Sequence, residues 1–335
     1  MHKYGSIVGL SVLTLSCTVG GSDSSHAASS GQHGGDPTTA AALPGEASAL
    51  DPSASVFTSD APTSAEQDRE GCQKVDFLYV VDNSASMVDE QLNLTASFSG
   101  FMRVVQDTLG TVDHHIMVVD TDDRNVGDVV ASLRGDVVLD DACVGVLGAG
   151  LRSDLDGYDC GIAGGGRYIL DNQANLESTF ACLAQVGTAG DATEQPIGAL
   201  LSAVGPTLTG PDGCNAGFLR EDAVLVVTLI TDEEDDNSAL SPEDWKRRLL
   251  AIKGGNEDAI VVLGLIADAG GNGALPGGPC PALDDVDSPR LERFVQSFGF
   301  GSLGSVCAPE YSNFFAQAVS VVDTACDVFV PPILR

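Results

Sequence analysis

Two apolar patterns alternate along most of this chain. Val75 to Val81 is an apolar run broken only by Asp76, as expected of a strand buried on both faces. Met87, Leu92, Leu94, Phe98, Phe101, Met102, Val105 and Leu109 then recur at the spacing of an amphipathic helix over 88–109. His115 to Val119 predicts a second strand. Leu176 to Val186 and Pro196 to Val204 predict helices. Val224 to Ile230 is the most apolar strand, and Ala259 to Ile266 is another. Pro242 to Ile252 predicts a helix, with Ser241 as its cap and Glu243 and Asp244 in its first turn. Pro289 to Phe298 and Pro309 to Cys326 predict the last helices. Apolar strands separated by helices define an α/β fold: a doubly wound, mostly parallel central sheet flanked by helices.

Two stretches break the alternation. Residues 120–170 are acidic and glycine-rich, with two cysteines, and read as a disulfide-bearing insertion. Residues 267–288 read as a surface loop.

The N-terminal segment lacks these patterns. Lys3 followed by Ile7 to Leu15 has the form of an export signal, too short to span a bilayer. It ends at Cys17, in the manner of a bacterial lipoprotein signal (residues 1–17), which implies lipidation of Cys17. Ordinary secretion, with cleavage after Ala27, stays open. Residues 18–71 are rich in Ser, Gly, Ala, Thr and Pro and read as a flexible tether. His26 and His33 fall within it as solvated residues. The folded domain is then 72–335.

Charge sharpens this picture. The chain has 335 residues and a formal net charge of −32. Residues 1–71 hold eight acids and two bases, so most of the acidity belongs to the domain. A polyanion repels phosphate, which excludes general nucleic-acid binding. It also disfavours docking of the protein surface on anionic lipid, leaving the N-terminal lipid as the only membrane contact.

There are nine cysteines and no C-x-x-C pair. Setting Cys17 aside leaves eight disulfide candidates: Cys72, Cys143, Cys160, Cys182, Cys214, Cys280, Cys307 and Cys326. Eight cysteines allow 105 pairings, which the sequence cannot resolve. Pairing sequence neighbours would join Cys143 to Cys160, Cys182 to Cys214 and Cys280 to Cys307, with Cys72 and Cys326 bracketing the domain. Four disulfides suit an oxidising compartment. Together these features predict an exported protein of the bacterial envelope, lipid-anchored or secreted.

In an open α/β sheet ligands collect beyond the carboxyl ends of the strands. The first strand is followed by Asp82-Asn83-Ser84-Ala85-Ser86. The segment Gly190-Asp191-Ala192-Thr193-Glu194 precedes a helix, and the Val224 strand ends in Thr231-Asp232. This D-x-S-x-S opening, with a loop threonine and a later T-D in that order, resembles the von Willebrand factor type A domain and its metal-ion-dependent adhesion site. The resemblance spans about residues 72–326. It implies a metal set of Asp82, Ser84, Ser86, Thr193 and Asp232. It also implies Mg²⁺, or Ca²⁺ or Mn²⁺ in its place, since such hydroxyl and carboxylate oxygens are hard ligands. It further implies that the chain binds a protein or matrix ligand through an acidic side chain and performs no turnover.

Two other readings stay open. Asp82, Asp120, Asp122 and Asp232 could hold a metal for hydrolysis, or the domain could be structural with a vestigial site. Ser84, Ser86 and Thr193 could simply cap helices. Asp154 to Asp159 has the acid alternation of a calcium loop, but a solvated turn is the simpler expectation. His114 and His115 are expected at the surface or an edge.

Overall fold

The structure, a computed structural model, describes residues 73–110, 113–123, 130, 142–190, 194–268, 275–278, 280 and 287–332. Cys17, the signal, the tether, Cys72 and Thr193 lie outside the described residues.

The strands are β1 (Lys74–Val81), β2 (Asp113–Asp120), β3 (Ile169–Leu170), β4 (Val224–Thr231), β5 (Ile260–Ile266) and β6 (Gly301–Ser305). The helices are α1 (Val88–Leu109), α2 (Leu176–Leu183), α3 (Pro196–Ala203), α4 (Pro206–Thr209), α5 (Pro242–Ile252), α6 (Pro289–Gln296) and α7 (Ser312–Val328). The strands form one sheet in the order β3-β2-β1-β4-β5-β6. All neighbours are parallel except the short β3, which runs antiparallel to β2. This is the doubly wound order anticipated from the alternation. Its direction of winding reverses between β1 and β4, the switch point where such sheets bind ligands.

The two faces of the sheet carry separate cores. Val75, Phe77, Tyr79 and Val81 of β1 pack with Phe98 and Phe101 of α1, Phe180 of α2 and Phe315 of α7. Leu78 and Val80 face the other way, into a core with Ile197 and Leu200 of α3, Trp245 of α5 and Phe294 of α6. Burial on both sides explains the unbroken apolar runs in β1, β4 and β5. Ser241 caps α5 with Asp244 in a reciprocal capping box, as its sequence predicts.

Three expectations need correction. His114 and His115 are buried in β2, which has β1 on one side and β3 on the other, so neither is a surface or edge residue. His115 Nδ1 lies 2.8 Å from the Phe218 carbonyl, and its ring packs on Tyr168. Burial lowers its pKa.

The disulfides also depart from neighbour pairing. The bonds are Cys143–Cys214, Cys160–Cys182 and Cys280–Cys307. Only the last matches. The insertion folds back over the sheet edge instead of closing on itself. Asn215 bonds Gly148 and Gly150, holding the 143–150 strip beside Cys214. Gln173 bridges Gly161 and Thr179, holding Cys160 against α2. Cys326 is also disulfide-bonded.

Lastly, β6 has no counterpart among the expected strands. Its sequence, Gly-Ser-Leu-Gly-Ser, has no apolar run. A Cβ on Gly301 would fall 2.2 Å from the Val295 carbonyl, and one on Gly304 2.6 Å from the Phe314 ring. Close packing of α6 and α7 therefore selects glycine over the usual strand formers.

The amino end of the sheet is closed by an ion-pair network. Asp76 is fully buried. It accepts from Arg220 Nε at 2.7 Å and from the Arg220 amide at 2.8 Å. Arg220 also reaches Asp113 at 2.6 Å and the Val75 carbonyl at 3.1 Å. Burial raises the Asp76 pKa to about 6, against the pull of Arg220. A carboxyl with a folded pKa above its unfolded value holds its proton more tightly in the native state, so ionising it removes stability as pH rises from about 4 to 6. Arg220→Ala should cost about 3–5 kcal/mol, because it leaves a buried charge uncompensated. It should also push the pH-dependent loss above pH 6. Urea unfolding at pH 5, 6 and 7 checks both.

Candidate functional site

The site is assembled at the switch point from the ends of β1 and β4. Asp82 follows the last residue of β1, and its amide donates to the Ile230 carbonyl at 2.9 Å. Its carboxylate is fully buried. Oδ1 accepts from the Ser84 amide at 2.7 Å, and Oδ2 accepts from Thr231 Oγ1 at 2.5 Å. The first bond folds the chain into a tight turn, and the second locks that turn to β4. Gln91 of α1 donates to the Asp82 carbonyl at 3.1 Å and to the Gly187 carbonyl at 2.8 Å. The turn is therefore fixed by β4, α1 and the segment after α2.

That turn directs two hydroxyls to one place. Ser84 Oγ and Ser86 Oγ are 3.2 Å apart, and both hydroxyls act on the Asp232 carboxylate, favouring its ionised form. Asp232 is buried, yet its Oδ1 has no hydrogen-bond partner. Four of the five expected metal ligands, Asp82, Ser84, Ser86 and Asp232, thus meet at the carboxyl edge of β1 and β4. Ser84 and Ser86 serve this cluster and do not cap α1, which has no side-chain cap.

The fifth, Thr193, cannot be placed, but its neighbours can. Gly190 donates its amide to the Asn83 carbonyl at 3.0 Å. A Cβ there would sit 2.2 Å from Asn83 Oδ1, so this approach requires glycine. Glu194 is buried and accepts from Thr121 Oγ1, just beyond β2. Its other oxygen, Oε1, has no partner. Neither Glu194 nor Thr121 follows from the motif pattern. The only sequence signal is their position, each directly beyond a strand or before a helix at the ligand-binding end.

The electrostatics at this end are one-sided. Burial, then the neighbouring Asp82 charge, pushes Glu194 up to about 9. Burial raises Asp82 to about 6 despite its bonds from Thr231 and Ser84. Burial likewise raises Asp232, Glu90 and Glu233, the last two with further repulsion from Asp82 and Asp232. None of the ion pairs among the described residues reaches Asp82, Asp232 or Glu194. Buried carboxylates of this kind keep a proton or, once ionised, need a counter-charge. A small divalent cation with hard oxygen ligands fits the donor set, to which Asp232 brings a buried oxygen without a partner. Among the described residues, no three His, Cys, Asp or Glu side chains converge as a metal cluster. The convergence that does exist is one of hydroxyls with a carboxylate.

The acidic run after β4 separates into different tasks. Glu233 stands beside the site. Glu234 accepts from the Arg290 amide at 2.7 Å, capping α6. Asp235 accepts from the Ile197 amide at 2.8 Å, capping α3, and from the Ser238 amide at 2.7 Å. Asp236 is exposed. Asp154, in the suspected calcium loop, spends its Oδ1 on the amides of Asp156 and Tyr158 at 3.0 and 2.9 Å, as in an ordinary acidic turn.

No family model and no curated protein matches the chain. Solved structures of proximal thread matrix protein 1 from the mussel byssus align over 76–77% of it. One gives 12% identity and a TM-score of 0.38. Another, with a zinc-occupied MIDAS motif, gives 16% and 0.39. The chain spans about half the length of these structures, 49% and 47%. At this distance the likeness carries no functional argument, and the site rests on its own geometry.

Asp235→Ala should destabilise the domain by about 1–2 kcal/mol through loss of the α3 cap, whereas Asp236→Ala should change it by less than about 0.5 kcal/mol. Paired urea titrations distinguish a structural from a solvated acid.

Proposed function

We propose that this chain is an exported domain of the von Willebrand factor type A kind that binds a protein or matrix ligand through a divalent cation, with Mg²⁺ preferred. The observation that carries this reading is the buried, unpartnered Oδ1 of Asp232, an acid on which the paired Ser84 and Ser86 hydroxyls act, together with a locked Asp82. In this reading Ser84, Ser86 and Asp232 hold the ion, with Thr193 as a further ligand. Asp82 already accepts one bond at each oxygen and acts from behind, through its remaining lone pairs. The bound ion would supply a positive centre for an acidic group of the partner.

The surroundings suit a protein partner. Ser86 lies on the surface, and Val88 and Leu92 next to it are about half exposed. Apolar side chains beside a polar anchor are a common makeup of a binding patch. Binding, not turnover, is the function inferred.

Disulfides among the described residues support export to an oxidising compartment. No described helix is long and apolar enough to cross a membrane. Anchoring by lipid at Cys17 is the proposed attachment, with residues 18–71 as the tether.

Calorimetric titration of the full chain with Mg²⁺ should show saturable binding that the double variant Ser84→Ala/Ser86→Ala abolishes. Unchanged affinity in Asp82→Ala and Asp232→Ala would overturn the assignment. Envelope and matrix proteins retained on the immobilised chain in Mg²⁺ should be released by chelator.

A further inference from the structure

We propose that Glu194 belongs to this cation site and acts on the ion through a bound water, with Thr121 as its positioning residue; the inference rests on the cation reading above. Glu194 is 1% exposed, an unusual position for a glutamate without a cationic partner. It is held from two sides. Thr121 Oγ1 donates to its Oε2, and Asn237 Nδ2 donates to its carbonyl at 3.2 Å. The next amide, Gln195, donates to the Thr121 carbonyl at 2.9 Å. These contacts fix the residue between the end of β2 and the loop after β4, with Asp82, just beyond β1, as its strongest charged neighbour.

This fixation leaves Oε1 buried with no hydrogen-bond partner. At the same end of the sheet, Asn83 Oδ1 is also buried and without a donor, its amide nitrogen being spent on Asp122 at 3.3 Å. Two buried oxygens without partners at this end of the sheet call for an ordered water to satisfy them. Water polarised by a divalent cation is such a water. Groups that orient the shell around a metal in this way commonly affect its affinity by roughly 10–100-fold.

Mn²⁺ serves as the probe, titrated into the full chain and followed by water-proton relaxation. Glu194→Gln keeps the shape and removes the carboxylate that a bound cation would ionise. It should weaken Mn²⁺ binding by roughly 10–100-fold and leave the relaxivity per bound ion unchanged. Thr121→Val should weaken binding in the same direction, and Thr121→Ser should restore it. The Thr121 pair decides the matter if Glu194→Gln does not fold. Affinity within about twofold of wild type in Glu194→Gln overturns the inference. A relaxivity gain of one water per ion also overturns it, because Glu194 would then be a direct ligand. Asp82→Ala separates the two ideas: wild-type affinity there means that the cation reading itself fails.

Discussion

The structure depends on the way Asp82 is held. One oxygen of its buried carboxylate accepts from the chain that follows it, and the other accepts from Thr231 on the neighbouring strand. The first contact creates the turn that presents Ser84 and Ser86. The second ties that turn to β4 at the point where the sheet reverses its winding. Without them the hydroxyls would be surface serines near a helix start, and Asp232 would be one acid among many. The parallel register of β1 and β4, with Val81 opposite Ile230, sets Asp82 and Thr231 side by side. A backbone constraint thus becomes a chemical one.

The same end of the sheet shows how a chain of −32 distributes its charge. Glu234 and Asp235 satisfy amides at the starts of α6 and α3, where the helix dipole favours an anion. Arg290 closes the arrangement, stacking on Trp245 while bonding the carbonyls of Asp235 and Leu240. With these acids occupied, the buried carboxyls at this end that meet no cationic side chain among the described residues include Asp82, Asp232 and Glu194, with Glu90 and Glu233 as neighbours. Each of these is raised by burial. The cationic character expected of a ligand follows from that residue set more directly than from the net charge.

Strands buried on both faces were legible because burial demands continuous apolar runs, and α1 and α5 were legible from periodicity and capping. β6 was not, because its glycines answer to two helices that press on it from elsewhere in the chain. The disulfides were hidden for a related reason: Asn215 and Gln173, distant in sequence, decide which cysteines meet. At the site, Asp82, Ser84, Ser86 and Asp232 were readable from a motif and its strand context. Glu194 and Thr121 were not, since one buried contact across strand ends leaves no local pattern. His114 and His115 misled because a polar pair inside a strand looks like an exposed start until β3 covers it.

The two buried aspartates of β1 make a useful contrast. Asp76 and Asp82 leave the same strand at opposite ends, and burial raises both to about 6. Asp76 is met by a guanidinium that reaches two carboxylates and two carbonyls, so the protein supplies its counter-charge internally. Asp82 is met only by a hydroxyl and an amide, with Asp232 adding repulsion. Equal burial with unequal compensation distinguishes the two acids. The amino end of the sheet is closed by its own residues. The carboxyl end keeps orphaned oxygens on Asp232, Glu194 and Asn83, and it is there that a cation would complete what the fold leaves unfinished.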